Sequence, residues 1–168
     1  MLFTACGTAA VYDLAADKEL SNAAGATAKQ FLRTSIQPVD DTEGNGNYMS
    51  ELYYFRVGGD MKENYDRIDV SFQHDKIGSI GITKVGSGGN SGYTLFGLRI
   101  GDSKSTVEAV AKNKLGDEGT WTSDTDPKTV KAFKKDTGTF SSDMGTLFIS
   151  VDSQTGTVVD MSLYFNRK

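Results

Sequence analysis

The single histidine and the single cysteine are the first residues to test for chemistry in this chain of 168 residues. A cysteine–histidine dyad needs its nucleophile within hydrogen-bond reach of its base. Cys6 lies near the start of the chain, whereas His74 stands beside Asp75 in a turn between two strand-like segments. One cysteine also excludes a zinc site built from several cysteines. We therefore predict a protein that is not an enzyme, holds no metal and needs no cofactor.

An acidic segment offers a second candidate, a calcium loop. The residues in the order that begins such a loop are Asp41, Glu43 and Asn45, followed by Gly46. Position twelve of the loop should supply a bidentate glutamate, but Leu52 stands there and Glu51 falls one residue short. A solvated loop is therefore the preferred interpretation, and calcium binding stays open as the alternative.

Cys6 has a second chemical interpretation. The stretch Thr4-Ala-Cys-Gly7 resembles the small-residue end of a bacterial lipoprotein signal, in which the cysteine becomes lipidated. The charged part and most of the apolar part of such a signal do not precede it, which would make residues 1–11 a residual signal end and tether. We expect Cys6 to be the lipid attachment point of a domain held outside the membrane. The alternative is a small apolar side chain in a frayed terminus.

The charge and hydropathy of the sequence restrict the classes of partner that this chain can have. The formal net charge is −4, and the Lys and Arg residues are scattered, so the chain has no basic stripe for nucleic acid. No apolar run approaches the roughly 20 residues of a spanning helix, which leaves a lipid anchor as the expected contact with membrane. We expect the partner to be a protein or a component of the cell envelope.

Regular elements must position any binding surface. Apolar spacing and alternation predict these elements in the first half: a helix over 12–33 and strands over 51–57, 67–72 and 80–85. The last two strands should form a hairpin, and the Gly/Ser-rich segment 86–92 should be a flexible linker. The elements predicted for the second half are a strand–turn–helix over 93–116, a short strand over 119–123, a short helix over 127–135, and a hairpin of 146–151 with 157–165.

The strand–turn–helix carries the strongest local signals. Asp102 and Ser103 offer N-caps for its helix, and Gly116 closes it. Helical spacing predicts that Val107, Val110 and Leu115 pack against strands that contain Phe96, Leu98, Phe148 and Val151. The domain assignment is a helix-plus-hairpin unit over 12–85 and another over 93–168, joined by 86–92 within one compact domain. The two hairpins are alike, but two similar hairpins also arise without duplication, so an internal repeat stays open.

Aromatic residues are frequent in the predicted strands. Core packing explains most of them, but alternate members of a strand point to opposite faces, so some should be exposed. We predict that Tyr53, Phe55 or Trp121 contact the partner, since exposed aromatic residues dominate binding hot spots.

The segment from Leu95 to Val110, with Leu115-Gly116 downstream and the closing hairpin 148–163, resembles the small bacterial lipoprotein domain of SmpA/OmlA type. Similar units occur in tandem in β-lactamase inhibitory proteins (BLIP). The resemblance implies an α+β fold, with helices packed on an antiparallel β-sheet and two tandem helix-plus-β-hairpin units as one form of it. It also implies a non-enzymatic extracytoplasmic lipoprotein that acts as a protein-binding or envelope scaffolding module.

Two other functions remain open at this point. One is a small-ligand carrier or hydrolase that uses a cleft between sheet and helix, and the other is a purely structural envelope subunit. A deep pocket with convergent polar groups would favour the cleft, whereas an exposed aromatic patch on the sheet would favour partner binding.

Overall fold

One large antiparallel sheet dominates the fold in a computed structural model that describes residues 12–16, 43–45, 50–60, 62–73, 76–123 and 135–166. The elements are β1 (Tyr12–Asp13), β2 (Glu43–Asn45), β3 (Ser50–Val57), β4 (Tyr65–Gln73), β5 (Lys76–Val85), β6 (Tyr93–Thr94), α1 (Lys104–Val110), a π-helical turn (Ala111–Leu115), β7 (Thr120–Ser123), β8 (Lys135–Ser141), β9 (Gly145–Asp152) and β10 (Thr157–Phe165). Eight strands form the large sheet in the order β2-β3-β4-β5-β10-β9-β8-β7, and β1 pairs in parallel with β6.

Both predicted hairpins are present, as β4–β5 and β9–β10. Their second strands pair with each other at the centre of the sheet, where Ile82 lies opposite Met161. The described sheet therefore has four strands on either side of this central contact. The assignment of 12–85 and 93–168 as separate units stays a prediction.

The core lies on one face of the sheet. Alternation places every second residue of a strand on this face, and a single row of cross-strand neighbours shows its apolar character. That row is Phe55, Ile68, Ile82, Met161, Ile149, Gly138 and Trp121. All of its aliphatic members and Phe55 are completely buried. Burying one such side chain contributes about 1.5–3 kcal/mol.

The predicted fold class, helices packed on an antiparallel sheet in one or two helix-plus-hairpin units, is wrong. The described residues contain the single short helix α1, extended by the π-helical turn, beside ten strands, eight of them in the large sheet. Its predicted ends are confirmed, because the Ser103 hydroxyl accepts from the Thr106 amide at 3.2 Å and Gly116 is left-handed at φ 68°. The helix buries only Val107, while Val110 and Leu115 are partly buried. Alternating β-branched and aromatic residues across the chain favour a sheet, and this preference decides the fold.

The predicted helix over 12–33 is wrong at its start, since Tyr12 and Asp13 form a strand. The Asp13 carboxylate accepts from the amides of Ala15 and Phe96, both at 3.0 Å. Such local bonds from an aspartate compete with helical hydrogen bonds. Leu14 is completely buried beyond the strand. Residues 17–33 lie outside the described residues.

Strand β8 begins at Lys135, where the sequence predicts the end of a helix over 127–135, and the prediction is wrong at this residue. The structure pairs Lys135 with Asp152 of β9, and residues 127–134 lie outside the described part. The helix that the structure describes is too short to span a bilayer.

Amides of the segment 86–92 donate hydrogen bonds to strand β4 and to the residue just before it, and these bonds hold the segment in place. The Asp66 carboxylate, almost completely buried, accepts from the amides of Gly89 and Ser91, both at 2.9 Å. The side-chain oxygen of Asn64 accepts from the Ser87 amide at 3.0 Å. A Cβ atom on Gly89 would lie 2.5 Å from the Val57 carbonyl oxygen, so this close approach of backbones requires glycine.

Candidate partner-binding face

The face of the sheet opposite the core is here called the outer face. Its side chains alternate with the core residues along each strand. Three rows cross it: Arg56, Arg67, Thr83, Asp160, Ser150, Thr137, Thr122; Tyr54, Asp69, Gly81, Ser162, Phe148, Thr139, Thr120; and Leu52, Ser71, Ser79, Tyr164, Thr146, Ser141. Every described side chain in these rows keeps some solvent exposure.

Strands β3 and β4 carry an arginine–tyrosine cluster of Tyr54, Arg56, Tyr65, Arg67 and Asp69. The Arg67 guanidinium lies 5.0 Å from the Tyr54 ring centre, and that of Arg56 lies 5.3 Å from the Tyr65 ring centre. Arg67 also forms a bidentate ion pair with Asp69, at 2.7 and 3.0 Å. Stacking and fork-like pairing fix these guanidinium groups, so they are ordered before any partner arrives.

The centre of the outer face holds a second carboxylate. Thr83 donates its hydroxyl hydrogen to Asp160 at 2.7 Å. Burial raises the pKa of Asp69, and the nearby Asp160 charge acts in the same direction, although the hydrogen bond and the charge of Arg67 oppose them. Two carboxylates therefore share this centre with one guanidinium.

Strands β7 to β10 give the outer face a different composition. Phe148 and Tyr164 form an edge-to-face pair with ring centres 5.5 Å apart, and Tyr164 is 53% exposed. Around them lie short hydroxyl side chains, here the hydroxyl region: Thr120, Thr122, Thr137, Thr139, Ser141, Thr146 and Ser150. The large side chains able to anchor a partner thus lie in the arginine–tyrosine cluster and at Phe148 and Tyr164.

Two of the residues predicted to bind a partner lie on the core face of β3. Phe55 is completely buried, which leaves it no surface for a partner. Tyr53 packs edge-on against Phe72 at 5.5 Å between ring centres and is partly buried. The aromatic residue of β3 that faces outward is Tyr54, between them in sequence.

Trp121 also lies on the core side, at the β7 edge of the sheet. Its ring meets Phe140 edge-on at 5.7 Å, and the Lys104 ammonium lies 4.3 Å from its ring centre. The buried indole nitrogen has no hydrogen-bond partner among the described residues. The contact of Lys104 with Trp121 joins α1 to the β7 edge of the sheet. At the same edge, Asp136 of β8 accepts a hydrogen bond from the Ser123 hydroxyl at 2.9 Å.

The remaining predicted site residues lie mostly beyond the described part of the chain, where Cys6, Asp41 and His74 fall. Glu43 and Asn45 belong to strand β2 and pair with β3, so their backbone is extended instead of looped. No group of three His, Cys, Asp or Glu residues suited to a metal ion occurs in the part that the structure describes.

Sequence reasoning missed Arg67, Asp69 and Phe148 on the outer face. The available signal was the alternation that identified the core: in Arg67-Ile-Asp-Val-Ser-Phe72 the polar positions share the opposite face. Phe148 lies on this face, whereas its neighbours Leu147 and Ile149 are buried on the core face.

Comparison with known proteins gives a fold and no family. No family model matches the chain, and no curated protein does. A crystal structure of an extracellular protein containing a SCP domain from Bacillus anthracis str. Ames is similar, with a TM-score of 0.53, 12% identity and coverage of 90% of this chain and 47% of that one. A cysteine-rich secretory protein from Staphylococcus aureus subsp. aureus Mu50 is similar with a TM-score of 0.50, 13% identity and coverage of 93% and 50%. The chain spans about half the length of each.

These structures correct the resemblance to SmpA/OmlA-type lipoproteins and β-lactamase inhibitory proteins, which is wrong. That resemblance depended on capping and packing residues, such as Ser103, Val107 and Gly116, which any strand–turn–helix needs. The observed architecture is rich in sheet, with one short helix in the described part. At such low identity the comparison shows the fold alone. This chain shares that fold with the extracellular SCP-domain protein and with the cysteine-rich secretory protein.

Proposed function

We propose that this chain is a non-enzymatic, extracytoplasmic module that binds another protein through the outer face of its sheet. The observation that carries the proposal is a partly exposed sheet face on which tyrosine, arginine and phenylalanine side chains are held by stacking contacts. These residue types are enriched at interface cores and hot spots. A partner that covers them loses little side-chain freedom on binding, because stacking has already restricted it.

The absence of catalysis in this proposal rests on composition. One histidine and one cysteine give few routes to an activated nucleophile or a tuned general base. On the outer face, the arginine and aspartate that approach each other are engaged in a mutual ion pair, which suits recognition.

The extracytoplasmic location is supported by the descriptions of the similar structures, one an extracellular protein and one a secretory protein. We further propose that Cys6 is lipidated, on the evidence of the small residues Thr4 and Ala5 before it and Gly7 after it. Expression with labelled fatty acid tests this proposal, with label expected on the wild type and lost in Cys6→Ser. Equal labelling of both proteins would refute it.

The binding proposal is tested with a photo-crosslinking residue at position 164, on the outer face, in cells that produce the full chain. One defined protein adduct should form and should be lost when Tyr54→Ala and Arg67→Ala are combined. The matched control carries the crosslinker at Gln154, which is exposed in the turn between β9 and β10. Identical adducts from positions 154 and 164, or an adduct indifferent to the double substitution, would contradict an interface on this face.

A further inference from the structure

The centre of the outer face has an unequal charge balance. Arg67 is engaged with Asp69 through both of its carboxylate oxygens. Asp160 accepts a hydrogen bond from the Thr83 hydroxyl, and no lysine or arginine forms an ion pair with it among the described residues. The middle of the sheet therefore carries one negative charge that no cation of the described chain neutralises.

The residues around Asp160 have short side chains. Its cross-strand neighbours are Thr83 on β5 and Ser150 on β9, both short side chains. In the next row, Gly81 has no side chain and Ser162 leans over it, because a Cβ on Gly81 would lie 2.9 Å from the Ser162 hydroxyl oxygen. A side chain approaching from solvent can therefore reach the Asp160 carboxylate without displacing a large residue.

An aromatic ring lies at the edge of this area of short side chains. Phe148 is paired with Ser162 and Asp160 is paired with Ser150, so Phe148 and Asp160 are diagonal neighbours on strands β9 and β10. Diagonal positions of this kind lie about 7–8 Å apart, within reach of long side chains. Lysine and arginine have apolar stems that pack on aromatic rings while their charged ends reach a carboxylate.

From this juxtaposition we infer that the outer face binds a lysine or arginine side chain of the partner protein, with its stem on Phe148 and its charge at Asp160. The inference rests on the proposed function and names the chemistry of its partner. Charge complementarity selects a basic side chain, since the chain carries a net charge of −4 and the unneutralised charge of Asp160 repels acidic groups. The same repulsion disfavours an anionic lipid surface.

The test uses the full chain labelled with ¹⁵N and two acetylated, amidated tripeptides, Leu-Lys-Leu and Leu-Glu-Leu. Amide shifts should change at residues 148–150 and 160–162 on addition of the lysine peptide and not of the glutamate peptide. Asp160→Asn should lower the affinity for the lysine peptide about fivefold, which is the effect expected from the loss of one partly exposed charge pair. Asp143→Asn, the matched control, removes the same charge from an exposed turn and should leave the affinity unchanged.

A second variant keeps the inference falsifiable if Asp160→Asn disturbs the sheet. Ser150→Arg places a cation beside Asp160 from within the chain, so it should abolish lysine-peptide binding with the fold intact. Shifts caused by the glutamate peptide alone, binding indifferent to both variants, or binding of anionic phospholipid vesicles through residues 148–162 would overturn the inference. Those outcomes leave the crosslinking result at position 164 unaffected, so the two proposals fail separately.

Discussion

The two sides of the sheet, β2–β5 and β10–β7, have matching core faces and different outer faces. Ile68 and Val70 on one side have the same role as Leu147 and Ile149 on the other, all completely buried. On the outer face, one side presents the arginine–tyrosine cluster, whereas the other presents the hydroxyl region. Folding needs an apolar core face on both sides, but it leaves the outer face largely unconstrained. The two sides therefore differ in the side chains of their outer faces and not in those of their core faces.

The largest expected effect tests whether the core faces are equivalent. Ile68→Ala and Ile149→Ala should each lower the free energy of unfolding by about 2–5 kcal/mol, because each leaves a cavity in one continuous apolar layer. Urea denaturation of the two variants measures this, and both should unfold in one transition. A second transition in either variant would mean that the two sides do not unfold together.

A smaller effect on stability should distinguish a buried loop-binding carboxylate on one side of the sheet from a more exposed one on the other side. Asp66→Ala removes a buried carboxylate that accepts two amide hydrogens and should cost about 2–4 kcal/mol. Asp117→Ala on the other side also removes a carboxylate that accepts two amide hydrogens, from Gly119 and Ser141, but from a more exposed position. Its denaturation midpoint should fall less. Equal midpoints for the two variants would show that burial of Asp66 contributes nothing extra.

The pH dependence of stability should differ in sign between Asp69 and Asp152. Burial raises the pKa of Asp69 above 3.8, so its native form binds the proton more tightly, and stability falls as pH rises from 3.8 through the native value. Hydrogen bonds from the Thr155 and Gln154 amides lower the pKa of Asp152, so its contribution is lost as pH falls below 3.8. Asp69→Asn and Asp152→Asn, followed by urea denaturation from about pH 2.5 to 6, should remove opposite slopes. Parallel pH profiles for the two variants would contradict this assignment.

The smallest effect concerns the β7 edge. Lys104→Ala removes the ammonium above the Trp121 ring and should cost about 0.5–1 kcal/mol, with a change in the fluorescence of this single tryptophan. Lys112→Ala is the control, because its ion pair with Glu118 is largely exposed and should contribute little. If fluorescence responds to both substitutions equally, the stacking of Lys104 is not the cause.

Local signals predicted much of the sheet and little of the outer face. Alternation identified both hairpins, because a half-buried strand has a period of two. In β4 the alternating apolar residues Ile68, Val70 and Phe72 are buried. The Ser103 cap and the Gly116 stop were also readable, since each satisfies backbone groups within a few residues. The class of fold was not readable, because whether Tyr12 begins a helix or a strand depends on Phe96, more than eighty residues away.

The outer face was missed for a related reason. Arg67 contacts Tyr54 and Asp69, and Asp160 accepts from Thr83 and lies diagonal to Phe148. These neighbours are set by strand register, which a sequence pattern specifies only where one face is apolar. Alternation indicates that Arg67 and Asp69 face away from the core, but it does not say which residues of the neighbouring strands lie beside them.

The parallel pair of β1 and β6 has a mechanical consequence. Any pull on the chain ahead of Tyr12 is transmitted first to this pair, through the Leu14 amide bonded to the Thr94 carbonyl at 2.9 Å and the Asp13 carboxylate bonded to Phe96. Phe96 adopts a φ of 55°, which is strained for a bulky residue, and Lys114 holds its carbonyl at 2.8 Å. Tension from a tether would thus load one strained turn and the π-helical turn behind it. Beyond that turn, the load would reach the eight-stranded sheet through the hydrogen bonds that join Gly101 and Asp102 to Val158 of β10.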